Sequence, residues 1–148
     1  MIKAFITEGD LSVDDLIKLI LKPSHREGCG AIVTYVGYVK AVVDGERVEE
    51  VVFEVKDEFE DFLNRVAEEV AGKYGLHDVI VAHKEGALKP GETVMYVVVS
   101  AVTRDQAFRG AREIVDRIKS QAPMRKVERR EGGTYLVGEG GERRRIDG

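Results

Sequence analysis

The chain has one cysteine (Cys29), no tryptophan, three prolines and a single asparagine among 148 residues. One cysteine excludes an internal disulfide and any cysteine-rich zinc site. No apolar run approaches the roughly 20 residues that a membrane-spanning helix needs. The opening Met1-Ile2-Lys3-Ala4 lacks the long apolar stretch and small-residue cleavage site of a secretory signal. His25, His77 and His83 stand in different segments, without the i,i+4 partner or carboxylate motif of a metal cluster, and read as surface or half-buried side chains. The P-loop, the dinucleotide fingerprint and the nucleophile elbow are all missing, which removes those enzyme classes. Cys29, between two glycines and with no legible base, reads as a small hydrophobe rather than a nucleophile. The expectation is a cytoplasmic globular protein with no metal, no cofactor and no membrane contact.

What is present is a chain 43% hydrophobic and 34% charged, long enough to bury one sizeable core. Its net charge of −4 is unevenly spread: residues 104–148 carry 12 Lys/Arg and 8 Asp/Glu, while residues 1–103 carry 11 and 19. A basic last third on an acidic body points to a local anionic ligand rather than to a surface built for nucleic acid. Acidic residues interleave with the basic ones, and the aromatics needed to stack bases are scarce, so no nucleic-acid partner is expected.

Hydrophobic spacing predicts the elements. Residues 2–6 form a short edge strand, and Ser12 caps a helix through Leu16 to Ile20 that stops before Pro23. Lys22 to Gly30 is a loop. Ala31 to Val39 is a strand, Asp44-Gly45 a hairpin turn, and Val48 to Val55 the returning strand. Phe59 to Val70 recur at helical spacing, with Gly75 just past the end. Val79 to His83 and Thr93 to Val102 are strands, the second so apolar that it is expected at the centre of a sheet covered on both faces. Arg104 to Ser120 is a helix ended by Pro123, followed by strands at Arg125 to Arg130 and Thr134 to Val137. Residues 1–137 read as a single α+β domain and 138–148 as a flexible tail.

Two lysines flank the reversal at Ala122-Pro123. Lys119 lies in the last turn of its helix, about 80° from the centre of the apolar face. It suits either a cation complementing the helix dipole with a snorkelling stem, or a group aimed into a pocket. Lys126 stands in a strand between Arg125 and Arg129. It suits a solvated, charged edge strand or a crowded lysine with lowered proton affinity, ready for acid–base work.

Four segments carry a resemblance. Gly30-Ala31-Ile32-Val33-Thr34-Tyr35-Val36-Gly37-Tyr38-Val39-Lys40, His83-Lys84-Glu85-Gly86-Ala87-Leu88-Lys89-Pro90-Gly91-Glu92, Ser100-Ala101-Val102-Thr103-Arg104-Asp105-Gln106-Ala107-Phe108 and Lys119-Ser120-Gln121-Ala122-Pro123-Met124-Arg125-Lys126-Val127-Glu128 occur in order. Together they resemble the signature segments of the molybdopterin synthase large (catalytic) subunit family over roughly residues 28–137. The resemblance implies a two-layer, hammerhead-like α/β sandwich with an added small antiparallel β subdomain. It implies conversion of precursor Z, a cyclic pyranopterin monophosphate, to the dithiolene molybdopterin. Sulfur would come from a small ubiquitin-like carrier subunit ending in a glycine thiocarboxylate. Carried over by position, Lys119 and Lys126 are the catalytic residues, and Tyr38, Val39, Lys40, Thr103, Arg104, Val127 and Glu128 contact substrate. A homodimer of such chains inside a heterotetramer is implied as well.

Departures from the family pattern are concentrated at the substrate side. Thr103 stands where the family has histidine, and Lys40 replaces an arginine, keeping charge but losing bidentate geometry. Arg125 replaces an aromatic beside Lys126, and Glu54-Val55-Lys56-Asp57 replaces a His/Tyr-rich stretch. A second reading is therefore a non-catalytic pterin- or partner-binding module that retains the fold. Arg104 and Lys119 are 15 residues apart on one helix, roughly 22 Å. Long side chains shorten that gap, but two ends of one helix make an awkward single pocket, and an Arg104 donated by a second copy would resolve it.

Overall fold

The apolar segment Thr93–Ala101 has no charged residue and becomes the interior of a sheet. In the computed structural model, which describes residues 1–21 and 28–147, the elements run β1 (Ile2–Ile6), α1 (Val13–Ile20), β2 (Ala31–Tyr38), β3 (Val42–Val43), β4 (Glu46–Val55), α2 (Phe59–Tyr74), β5 (Asp78–His83), β6 (Gly86–Leu88), β7 (Thr93–Ala101), α3 (Arg104–Gln121), β8 (Met124–Arg130), β9 (Gly133–Val137) and β10 (Arg143–Arg145). The expected loop from Lys22 onward, with Pro23 and His25, lies outside the described residues apart from Gly28–Gly30.

The first sheet has the order β1-β5-β7-β2. β1 runs parallel to β5, and the other pairs are antiparallel. Strand periodicity sends alternate residues to opposite faces. Val79, Val81, Val97 and Val99 pack under α2 and α3 in the larger core, while Ile80, Ala82, Tyr96 and Val98 meet Leu16 and Ile20 of α1 on the other side. α1 thus adds a partial third layer to the sandwich, which is why the stretches 79–82 of β5 and 94–99 of β7 read as unbroken apolar runs.

The second sheet follows β10-β9-β8-β4-β3, with β6 also pairing β4. The β3–β4 hairpin turns through Asp44 (φ 52°) and Gly45 (φ 77°), the pair of left-handed residues that a two-residue hairpin requires. β8 is an interior strand, flanked by β4 and β9. Residues 138–147, expected as a tail, turn back at Gly141 (φ 84°) and return as β10 against β9. The Gly138 amide donates to the Glu142 carbonyl at 2.7 Å to close that turn.

Ile114 of α3 is fully buried in the larger core. Ile114→Ala is expected to cost about 2–5 kcal/mol of stability, read as a lower denaturant midpoint. An unchanged midpoint would contradict the packing described.

Candidate functional site

β8 separates its side chains cleanly. Arg125 and Arg129 point to the outer face, where Arg125 meets Glu54 at 3.9 Å and Arg129 meets Glu50 at 3.1 Å. Lys126, Glu128 and Arg130 point inward, and Lys126 stands directly across from Phe53 of β4. The cations beside Lys126 in sequence are therefore not the ones that crowd it, nor is β8 a solvated edge. Sheet registry, not chain proximity, selects its neighbours.

The inward face forms one wall of a cleft of about 840 Å³ at the seam between the two sheets. Its apolar floor comes from Tyr35, Val36, Val51, Phe53, Val94 and Met95, and its rim carries Lys40, Lys119, Lys126 and Arg143. The chain reversal at Ala122-Pro123, fixed by the Pro123 carbonyl accepting from the Lys56 amide at 3.0 Å, brings the end of α3 beside β8. Lys119 is exposed and Lys126 half-buried. Among the described residues, neither these lysines nor Lys40 has a carboxylate within ion-pair distance. The Lys126 ammonium lies 5.5 Å from the centre of the Phe53 ring, a cation–π placement. Burial first, then the charges of Lys119, Arg143 and Lys40, hold Lys126 below the usual lysine range against the opposing pull of Glu128.

Glu128 is itself buried, at 2% exposure. One carboxylate oxygen accepts from Arg143 Nε at 2.6 Å and from Arg130 Nε and Nη2 at 3.3 Å. Arg130 continues to Asp44 at 3.0 Å and Glu46 at 3.3 Å, and its guanidinium stacks 4.0 Å from the Tyr135 ring centre. Glu128 is thus held by two guanidinium groups and places Arg143 on the rim.

Deeper in the cleft lies His83, which sequence reasoning set aside as a surface or half-buried side chain. It is 2% exposed. Its Nδ1 lies 2.5 Å from the Lys84 carbonyl, and its ring meets Phe53 and Phe59 edge-on at 5.6 and 5.0 Å. Burial, with the charge of Lys126 adding to it, pushes its pKa down to about 4. The imidazole is therefore neutral, and the carbonyl assigns the proton to Nδ1.

The remaining sequence candidates divide in two. Tyr38, Val39 and Lys40 line the cleft, Tyr38 exposed and Val39 buried. Val127 is on β8 but faces away from Lys126 and does not line the cleft. Thr103 and Arg104 stand at the opposite end of α3 from Lys119. Thr103 caps the helix: its hydroxyl accepts from the Gln106 amide at 3.3 Å, and Gln106 Oε1 accepts from the Thr103 amide at 3.1 Å. Where the family's histidine would stand, this chain has a capping box. Among the described residues no group of His, Cys, Asp and Glu is arranged to hold a metal ion.

The family model described as "MoaE protein" matches residues 6–121. The chain belongs to that family. Among curated relatives, the molybdopterin synthase catalytic subunit of Thermoplasma volcanium is 33% identical over 129 residues, 86% of this chain and 91% of the relative. Molybdopterin synthase from Staphylococcus aureus superposes with a TM-score of 0.78 at 24% identity, covering 90% of this chain and 95% of the other. A complex of subunits 1 and 2 of the molybdopterin-converting factor from Helicobacter pylori contains a similar chain, with a TM-score of 0.66 at 21% identity, covering 88% and 87%. The family match ends at Gln121, so Lys126, Glu128 and Arg143 belong to the cleft by this chain's own geometry.

Because His83 stays neutral in the folded state, the unfolded chain binds more protons than the folded one between pH 6.5 and about 4. Stability is therefore expected to fall as pH drops through that window, by about 3 kcal/mol at its lower end. His83→Gln removes that contribution. Denaturant titrations at pH 7 and pH 4 check it, and an equal pH dependence in both proteins would contradict the burial argument.

Proposed function

We propose that this chain is the catalytic subunit of a molybdopterin synthase. It would convert precursor Z to molybdopterin with sulfur from the thiocarboxylated C-terminal glycine of a small ubiquitin-like subunit. The observation that carries this reading is the pairing of Lys119 and Lys126 on the rim of one cleft, both without carboxylate partners among the described residues. Both reactants are anions, a cyclic phosphate and a thiocarboxylate, and a cleft with unpaired ammonium groups over an apolar floor suits a phosphorylated heterocycle.

In this reading Lys40 engages the phosphate by a charge-assisted hydrogen bond. The thiocarboxylate sulfur attacks a carbon of the pterin side chain, forming a carbon–sulfur bond as that carbon's bond to oxygen breaks, which leaves an acyl thioester. A second thiocarboxylate supplies the other sulfur in the same way. Water then cleaves the carbonyl–sulfur bond, leaving sulfur on the pterin and a carboxylate on the small subunit. Lys119, exposed at the helix end, exchanges the proton with the departing oxygen. Lys126, whose ammonium is poorly solvated, holds the negative charge that develops on the acyl oxygen. Tyr38 and Val39 shape the wall beside the ligand. Glu128 acts through Arg143, and Val127 acts only as a buried strand residue.

Arg104 enters from a second copy of the chain. Arg104, Phe108, Ala111, Val115 and Lys119 form one stripe along α3 at helical spacing. The stripe borders β2, an edge strand of eight residues with no charged side chain. Phe108 is 63% exposed there, over a groove that also includes Ala111, Arg112 and Val115. A two-fold axis passing between residues 111 and 112 pairs Phe108 with Val115 of the other copy. It sets Arg104 of one copy against Lys119 of the other, which removes the 22 Å separation (about 1.5 Å per residue).

Two outcomes are expected in a reconstituted assay with thiocarboxylated small subunit and precursor Z. Lys119→Ala reduces turnover by at least about a hundredfold while thermal unfolding is unchanged. Small-subunit binding without turnover by the unaltered chain would favour the binding-module reading instead. Mixing inactive Arg104→Ala and Lys119→Ala chains restores up to about a quarter of full activity, because half the dimers then carry one intact site. No recovery after subunit exchange would rule out the shared site.

A further inference from the structure

His83 is a buried imidazole whose second nitrogen has no hydrogen-bond partner among the described residues. Its Nδ1–H is committed to the Lys84 carbonyl at 2.5 Å, so Nε2 presents a bare lone pair. The edge-on rings of Phe53 and Phe59 hold the imidazole in place, and among the described residues no donor is hydrogen-bonded to Nε2. A buried acceptor without a donor is costly, and such groups in folded proteins nearly always have a partner or a task.

One unpaired donor among the described residues shares its surroundings. Lys126 lies over the same Phe53 ring that His83 abuts, on the same cleft wall. The charge of Lys126 also acts on the imidazole. The other charged groups that act on Lys126 are Lys119, Arg143, Glu128 and Lys40. Arg143 and Glu128 are engaged with each other, and Lys119 and Lys40 are exposed on the rim.

We propose that His83 is the positioning residue for Lys126, its Nε2 lone pair receiving the lysine ammonium when that side chain swings inward from its place over Phe53. An ammonium has three N–H bonds and no acceptor of its own. Fixing one of them on the imidazole aims the other two into the cleft, where an anionic ligand meets them. Neutrality of the imidazole is part of the device, because an imidazolium would offer no lone pair and would repel the lysine. The inference rests on the reading of Lys126 as a working residue of the site, but its test does not require turnover.

The test follows the 15N resonance of His83 Nε2 in the full chain at pH 7.5, in unaltered protein and in Lys126→Met. An acceptor nitrogen that takes a hydrogen bond is shifted upfield. The resonance is expected upfield in the unaltered chain and at the free-acceptor position in the variant. Identical positions in the two would overturn the proposal. In turnover, His83→Asn keeps a donor near the Lys84 carbonyl but leaves the Nε2 position empty, whereas His83→Gln reaches that position. His83→Asn is expected to lower kcat by about tenfold with KM changed less than about twofold, and His83→Gln to restore most of it. Equal loss in both, or in neither, would contradict positioning through Nε2. An unaltered chain that turns over nothing would refute the enzymatic reading and leave the resonance test standing.

Discussion

Like charges brought together in a poorly solvated place repel, and the rest of the site is arranged around that cost. Lys119 arrives from the end of a helix, Lys126 from the middle of a strand, and Lys40 from the chain following β2. Each has its position imposed by an element whose own stability comes from elsewhere. The helix is held by Ile114 and Ile118 in the larger core, and the strand by two neighbouring strands. The fold thereby keeps ammonium groups that have no carboxylate partner among the described residues within one cleft, and burial first, then its cationic neighbours, hold Lys126 below the usual lysine range. An anionic ligand relieves the repulsion that the empty cleft carries, which is how such a site prefers its ligand over water.

The second constraint is the buried arginine–carboxylate cluster. Arg130, with its side chain at 4% exposure, joins Asp44 and Glu46 of the β3–β4 hairpin to Glu128 of β8, and Glu128 passes the connection to Arg143 of β10. Buried charges of this kind are tolerated only when each is matched. Here the matching ties the small subdomain together along the side of the cleft. Removing one member would leave an uncompensated charge and would loosen the edge that carries Arg143. Glu128 lines the cleft with its carboxylate taken up by two guanidinium groups, and in the proposed reading it acts through Arg143.

Much of the scaffold was legible from residue patterns. Val97 to Val99 reads as a covered central strand because apolar residues continue on both parities. Asp44-Gly45 reads as a hairpin because few other pairs accept two left-handed residues. The two lysines were singled out by their places around a proline-ended helix and were assigned roles by resemblance. What escaped was whatever depends on registry between distant strands. Nothing within a few residues of His83 announces that Phe53 and Phe59 will clamp it, and Lys126 looked crowded by Arg125 and Arg129, which the pleat sends to the other face. Arg143 was lost in a polar, glycine-containing segment whose strand character appears only once β9 is there to pair with it. His83 does follow the apolar run Val79 to Ala82 in its strand, and that run is the one local signal for its burial.

The most direct test of the central claim, that the seam between the two sheets is where the anionic pterin binds, is to titrate the 15N-labelled chain with precursor Z and map the shifted amide and lysine signals. The account predicts saturable shifts concentrated at Tyr38, Lys40, Lys119 and Lys126. Quiet residues should be found on α1 and at the outer edge of β1. Shifts clustered on α1 or β1, with the four cleft residues unmoved, would contradict it.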